Sequence, residues 1–263
     1  MSHRPVITLL TDFGTADPYV GTMKGVIAGI CSDANVIDIS HDVPPQDIRT
    51  AAFFLERSFR YFPRGAVHLA VVDPGVGTSR APLALRAEGH LFVGPDNGVL
   101  SLAARRGPAV ILRRGSYLLA QRSNTFHGRD VFAPAAAHLA CGVSLEELGP
   151  RQSSIVRLAW PKPKATARGY RAEIVSVDRF GNLVTSLEPA HWQSLRRPQL
   201  EAGPVSLATL SKSYRAARKG ELVLVFGGYG LLEIAARDDS AAAALGIGQG
   251  HSVQLVELAR RRR

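Results

Sequence analysis

Two cysteines, two methionines and two tryptophans are all that 263 residues contain of those types, and no short motif of a common enzyme class is present. Cys31 and Cys141 have neither CxxC spacing nor histidine-rich surroundings, so they read as isolated buried thiols of a reducing compartment. The absence of HExxH, GxSxG, P-loop and paired CxxC sequences removes the main support for a zinc protease, an α/β-hydrolase or a nucleoside triphosphatase. Gly21, Gly25 and Gly29 do not make a GxGxxG fingerprint, so a dinucleotide cofactor lacks its motif too. No apolar run approaches the roughly 20 residues of a membrane span. Met1-Ser2-His3-Arg4-Pro5 leads straight into an apolar strand, without the pattern of a signal peptide. The expectation is a soluble, cytoplasmic protein with no membrane partner.

Acidic residues are also in short supply: 22 against 32 lysines and arginines, a formal net charge of +10. The arginines are nevertheless scattered, and only Arg260 to Arg263 form a cluster. Aromatic residues do not interleave with them as base stacking would need, so no dedicated nucleic-acid partner is expected.

What is present is a series of strands that end on a carboxylate beside glycine. Val67 to Val72 is apolar on both faces and reads as a buried strand, stopped at Asp73-Pro74-Gly75 because proline cannot continue a ladder. Val6 to Thr11 stops likewise at Asp12-Phe13-Gly14, and His90 to Val93 runs into Gly94-Pro95-Asp96-Asn97-Gly98. A carboxylate at such a place is either the cap of a turn or one side of a ligand crevice at the carboxyl ends of the strands. On these residues alone both readings stand. His127, ahead of an alanine-rich helix, is likewise a helix cap or a site residue, and the pair His127 and Asp130 has too few neighbours for a metal site.

The order strand, helix, strand, helix, strand over residues 6–73 predicts a mostly parallel sheet covered by helices. In the helix over 18–30 the three glycines share one face, expected to press on the sheet. Further helices are expected over 47–62, over 99–105 and up to Ala140, the last with its start placed just before Pro134, and a hairpin turns at Glu88-Gly89. Residues 161–169, rich in proline and charge, read as a linker. Beyond it, short strands at turn-like spacing predict a small β-barrel or sandwich. The predicted organisation is an α/β domain over 1–160, a linker over 161–169 and an all-β, barrel-like domain over 170–263.

Six blocks, in order, carry a resemblance across nearly the whole chain. They are Thr11-Asp12-Phe13-Gly14, Val72-Asp73-Pro74-Gly75-Val76-Gly77-Thr78 with Arg80, Gly94-Pro95-Asp96-Asn97-Gly98, Phe126-His127-Gly128-Arg129-Asp130, Asp178-Arg179-Phe180-Gly181-Asn182-Leu183 and Leu232-Glu233-Ile234-Ala235. Together they resemble the S-adenosyl-L-methionine (SAM) hydroxide adenosyltransferases, or SAM hydrolases, relatives of the SAM-dependent fluorinase and chlorinase. The resemblance implies an N-terminal α/β domain, a C-terminal β-barrel and a homotrimer that holds SAM between adjacent subunits. It implies attack of water on ribose C5′, giving adenosine and methionine, with no metal and no cofactor, SAM being the substrate. It assigns the catalytic set to Asp73, Arg80 and His127. Substrate contacts fall to Asp12 on the ribose hydroxyls, to Asp17 on the methionine part, and to Asn97 on the polar rim. Asp178, Phe180 and Asn182 come from a neighbouring subunit, while Tyr229 and the backbone of Glu233 to Ala235 close the adenine end.

That assignment makes chemical sense. SAM is a sulfonium cation that suits carboxylates, and its leaving thioether is neutral and needs no acid. Water is a poor nucleophile, so Asp73 and His127 would orient it and help remove its proton, with Arg80 fixing Asp73. The chain departs from its relatives at Gly227-Gly228-Tyr229-Gly230, where a serine is common, and at Ser186, where asparagine is frequent. It lacks the long fluorinase insertion between Arg80 and Asn97, and Arg80 with His127 favours water over halide. Two other readings remain: chlorinase-like halide alkylation, and a SAM- or adenosine-binding protein without turnover.

Overall fold

The structure, a computed structural model, describes residues 4–258, and the Arg260 to Arg263 cluster lies outside them. It divides into two compact units, residues 1–159 and 160–263. No helix among the described residues is long and apolar enough to cross a membrane.

The first unit is built on β1 (Val6–Thr11), α1 (Tyr19–Ile30), β2 (Asn35–Ser40), α2 (Ile48–Ser58), β3 (Val67–Val71), β4 (Pro82–Ala87), β5 (His90–Pro95), β6 (Ala109–Ile111), α3 (Ala133–Ala140) and β7 (Arg151–Gln152). Its sheet runs in the order β2-β1-β3-β5-β4-β6-β7. The first four strands are parallel, with Ile7 opposite Val67 and Val67 opposite Leu91, and the remaining pairings are antiparallel. Every residue of β3 is buried, as a central strand covered on both faces requires. Alternate residues serve opposite layers: Leu69 and Val71 pack with Met23 and Ile27 of α1 and Ala136 of α3, while Ala70 and Val72 pack with Ala51 and Leu55 of α2. The expected α/β architecture is therefore present.

Local sequence accounts for most of these elements. The Asp47 carboxylate accepts from Thr50 N–H at 2.9 Å and caps α2. Glu88 and Gly89 both have positive φ, the requirement of a tight two-residue hairpin turn, and they join β4 to β5. Three expectations need correction. The α1 glycines face solvent, with no atom within 4 Å of where a Cβ would stand, because Val20, Met23 and Ile27 supply the buried face. Residues 99–103 form turns instead of the helix expected over 99–105, with Ser101 N–H donating to the Gly98 carbonyl. The helix ahead of Ala140 starts at Ala133, immediately before Pro134 as that proline led one to expect, and a wide π-helical turn over Gly128–Phe132 precedes it. Finally, Cys31 and Cys141, which cap the C-termini of α1 and α3, are joined in a disulfide with their Cα atoms 5.9 Å apart, and Cys141 is exposed. The inference of a reducing compartment from isolated thiols loses its premise.

The second unit contains β8 (Lys164–Thr166), β9 (Gly169–Val177), β10 (Leu183–Thr185), α4 (Pro189–Gln193), β11 (Pro198–Ala202), β12 (Val205–Leu207), β13 (Leu222–Phe226), β14 (Leu232–Ala236), α5 (Ala241–Leu245) and β15 (Ser252–Glu257). The sheet order is β12-β11-β15-β9-β10-β14-β13, antiparallel throughout, with β8 added beside β9. Leu210, just past β12, bridges to Leu224 of β13 and brings the sheet close to closure, the barrel-like form expected. β8 lies inside the stretch read as linker, so its second half is paired strand.

Candidate active site

In the first unit the site begins where β3 ends. The loop from Asp73 to Arg80 folds on itself: Val76 N–H donates to the Asp73 carbonyl, and the Thr78 hydroxyl to the Gly75 carbonyl at 2.7 Å. Gly77 has φ +78°, and a Cβ there would stand 2.7 Å from the Asn124 carbonyl oxygen. Only glycine lets this loop approach the 124–130 segment so closely. That approach completes a chain of side chains. Arg80 Nε donates to both Asp73 oxygens at 2.9 Å, its Nη2 also bonds Asp73 Oδ2, and the same Nη2 lies 2.8 Å from His127 Nδ1. Asp73 and Arg80 side chains are only 5% and 9% exposed. Phe132 lies beneath the guanidinium, 5.1 Å from it.

The chemistry of the donors fixes the histidine. A guanidinium has no acceptor, so Nδ1 of His127 must accept from Arg80, which leaves the hydrogen of the neutral ring on Nε2. Burial, and then the Arg80 charge, push the His127 pKa below its ordinary value and keep the ring neutral. Arg80 Nη1 is buried and has no hydrogen-bond partner. Asp130, fully buried, accepts from Ser123 N–H at 2.7 Å and from Arg129 Nε at 2.6 Å, which closes the loop carrying His127. Among the described residues no three His, Cys, Asp or Glu side chains group so as to hold a metal ion.

The other residues of this unit are placed as follows. Asp12 Oδ2 accepts from Gln46 N–H at 2.8 Å, and Asp17 is exposed just before α1. Asn97 is turned to its own backbone: its amide donates to the Val72 carbonyl at 2.8 Å and accepts from Val99 N–H at 3.1 Å. It therefore braces the chain immediately before Asp73.

In the second unit Asp178, Phe180 and Asn182 make the turn between β9 and β10. Asp178 accepts from the N–H groups of Phe180 and Asn182 at 2.9 and 2.8 Å, and from the Asn182 side chain at 2.8 Å. This leaves the Phe180 ring 77% exposed. Tyr229 occupies the β13–β14 turn, where Gly230 N–H donates to the Gly227 carbonyl. Glu233 and Ala235 lie on β14, both buried. The Glu233 carboxyl takes the Tyr214 hydroxyl at 2.8 Å, and Gly227 leaves no room for a Cβ beside it. Burial raises the pKa of Glu233, with the Asp178 charge adding to the rise. Burial and the hydrogen bond to Glu233 push Tyr214 up to about 12. Tyr214 was not anticipated, since it belongs to no motif and stands between strands in a stretch of ordinary loop composition.

The comparisons with known proteins agree over both units. Residues 7–149 match the family model of the SAM hydroxide adenosyltransferase N-terminal domain, and residues 172–254 that of its C-terminal domain. An (R)-S-adenosyl-L-methionine hydrolase of Salinispora arenicola is 40% identical over 97% of this chain and 99% of its own. A fluorinase from an Actinoplanes species is 28% identical over 78% of this chain and 76% of its own. The crystal structure of an uncharacterized conserved protein from Thermotoga maritima superposes with a TM-score of 0.89 at 34% identity, covering 95% of this chain and all of that one. The chain belongs to the SAM hydroxide adenosyltransferase family.

Proposed function

We propose that this protein hydrolyses S-adenosyl-L-methionine to adenosine and L-methionine by in-line attack of water on ribose C5′. The observation that carries the reading is the hydrogen-bonded chain Asp73–Arg80–His127. Its neutral His127 offers an Nε2 hydrogen to the water oxygen, and its Nδ1 lone pair is already engaged by Arg80, so the histidine orients the nucleophile. Asp73, whose oxygens keep further lone pairs, receives the proton. The C5′–O bond forms as the C5′–S bond breaks, with the bonding pair leaving on sulfur. SAM and water thus become adenosine, methionine and one released proton. A neutral thioether leaves without help from an acid or a Lewis acid, so the reaction as proposed uses no metal and no cofactor.

The same proposal gives Asp12 to the ribose hydroxyls, Asp17 to the methionine part, Asn97 to the polar rim, and Asp178, Phe180, Asn182, Tyr229, Glu233 and Ala235 to the remaining substrate contacts. Those second-unit residues would come from a neighbouring copy in a cytoplasmic homotrimer. Asn97, given its bonds to Val72 and Val99, acts by holding Asp73 in place. The similarity to a fluorinase supports a second reading, alkylation of a halide by the same substrate.

One experiment separates them: the purified chain is incubated with SAM in chelator-treated buffer, with and without chloride, and products are resolved by chromatography. Adenosine and methionine in equal amounts, with one proton released for each, are expected. Asp73→Asn and His127→Ala should slow the reaction by about 10²–10⁴-fold. A 5′-chloroadenosine product would favour the halide reading, and bound but intact SAM would leave a binding protein.

A further inference from the structure

The loop that carries Asp12 is gripped by a second set of side chains with no part in the reaction described so far. His41, at the end of β2, is 6% exposed, and its Nδ1 lies 2.8 Å from the Thr11 hydroxyl. Its backbone carbonyl accepts from Gly14 N–H at 2.8 Å, so one residue holds the loop on both sides of Asp12. Behind it, His41 Nε2 stands 3.1 Å from Asp38 Oδ1, at ion-pair distance though off-line for a good hydrogen bond, and Asp38 Oδ2 takes Lys24 at 2.7 Å. A carboxylate only accepts, so the ring nitrogen facing Asp38 carries a hydrogen, and Nδ1 is the ring atom paired with the Thr11 hydroxyl. The Thr11 oxygen then keeps a lone pair for Phe13 N–H, at 3.3 Å. The far end of the same segment contributes Gln46, whose N–H reaches the Asp12 carboxylate from a backbone held at φ +67°. A non-glycine residue stays in that region only where its surroundings over-determine it.

We propose that His41 is a positioning residue. With Asp38 and Lys24 behind it, it sets the Thr11–Gly14 turn so that the Asp12 carboxylate points at the two ribose hydroxyls of the nucleoside. The proposal rests on the reading of Asp12 as the group that meets the ribose. A residue needed only for folding would weaken every ligand alike, whereas a residue that aims Asp12 acts through the hydroxyls that Asp12 binds.

The test measures binding of adenosine and of 2′,3′-dideoxyadenosine to the full chain by calorimetry. The parent protein is expected to prefer adenosine. His41→Ala should weaken adenosine by about tenfold, the loss of roughly one well-placed hydrogen bond, and dideoxyadenosine by less than about twofold. His41→Asn, whose amide takes the place of the ring Nδ1, should restore most of the difference. Should His41→Ala fail to fold, Thr11→Val removes only the hydroxyl and should give the same hydroxyl-dependent loss. Equal weakening of both nucleosides, or of neither, in a parent that prefers adenosine would overturn the role given to His41. A parent that binds the two nucleosides equally would remove the ribose reading of Asp12, and the proposal with it.

Discussion

Buried ionisable groups are satisfied differently in the two units. In the first unit acids are met by cations: Asp73 by Arg80, Asp130 by Arg129, Glu56 by Arg57 and Arg60. Its buried His68 is held neutral, with Thr8 at 2.8 Å and His90 at 3.1 Å on its two ring nitrogens. In the second unit Glu233 is met by a phenol, Tyr214, with the negative charge of Asp178 near enough to act against ionisation. A carboxylate answered by arginine is already committed to its charge and its orientation. One answered by a hydroxyl beside another acid is not, and a cation placed there relieves both acids. The first arrangement fixes a charged carboxylate in place, and the second leaves a buried carboxyl whose ionisation follows the charges around it.

The difference gives the two units opposite responses to acid, and this is the largest effect expected. Burial holds the His68 pKa down to about 3, and the His90 charge adds to the depression. The unfolded chain, with an ordinary value near 6.5, binds this proton first. Stability from this source is present above about pH 6.5 and is lost as pH falls toward 3, by up to roughly 5 kcal/mol. Glu233 has the reverse sign. Its raised folded pKa makes its contribution complete below the unfolded value and lost as pH rises through the folded one. Both tryptophans, Trp160 and Trp192, lie in the second unit, so their fluorescence follows that unit while hydrogen exchange at β3 follows the first. On acidification, exchange at β3 should accelerate before the tryptophan signal changes, and His68→Gln should flatten the acid limb of the first unit alone. Simultaneous loss of both signals, unaltered by His68→Gln, would contradict the contrast.

Next in size is the disulfide. It closes a separation of 110 residues within the first unit, and reduction should cost that unit about 2–4 kcal/mol. Urea unfolding with and without reductant, compared with the Cys31→Ser, Cys141→Ser double variant, checks this. The reductant should lower the midpoint of the first unit in the parent, leave the double variant unchanged and spare the tryptophan-reported transition.

Strand ends and hairpins were legible because their causes are local. Asp73-Pro74-Gly75 stops β3 wherever that strand lies, and Glu88-Gly89 makes a turn wherever its hairpin packs. Features that depend on two distant segments were not. The spacing of Gly21, Gly25 and Gly29 puts them on one face, yet says nothing of which face turns inward, and Val20, Met23 and Ile27 decide that. Cys31 and Cys141 meet only because α1 and α3 pack side by side on the sheet. The grouping of Asp73 and Arg80 with His127 came from family resemblance, since no local rule joins a strand-end loop to a helix 47 residues away. His41 and Tyr214 had no signal at all: one is a lone histidine after a short strand, the other a lone tyrosine in a loop.

The smallest effect is also the sharpest test of how the second unit satisfies its buried acid. Tyr214→Phe removes one hydroxyl and leaves the Glu233 carboxyl without the bond it takes at 2.8 Å. That bond favours the ionised form, so its loss raises the Glu233 pKa further. A protonated carboxyl tolerates burial better than a carboxylate, and the penalty should therefore grow with pH, reaching about 1–2 kcal/mol where the parent carboxyl is ionised. Urea titrations followed by tryptophan fluorescence at two pH values measure it. Glu233→Gln removes the ionisable group, and in that background Tyr214→Phe should cost the same at both pH values. A penalty in the parent that does not change with pH would mean that Tyr214 serves packing alone, and that Glu233 is satisfied by something other than the phenol.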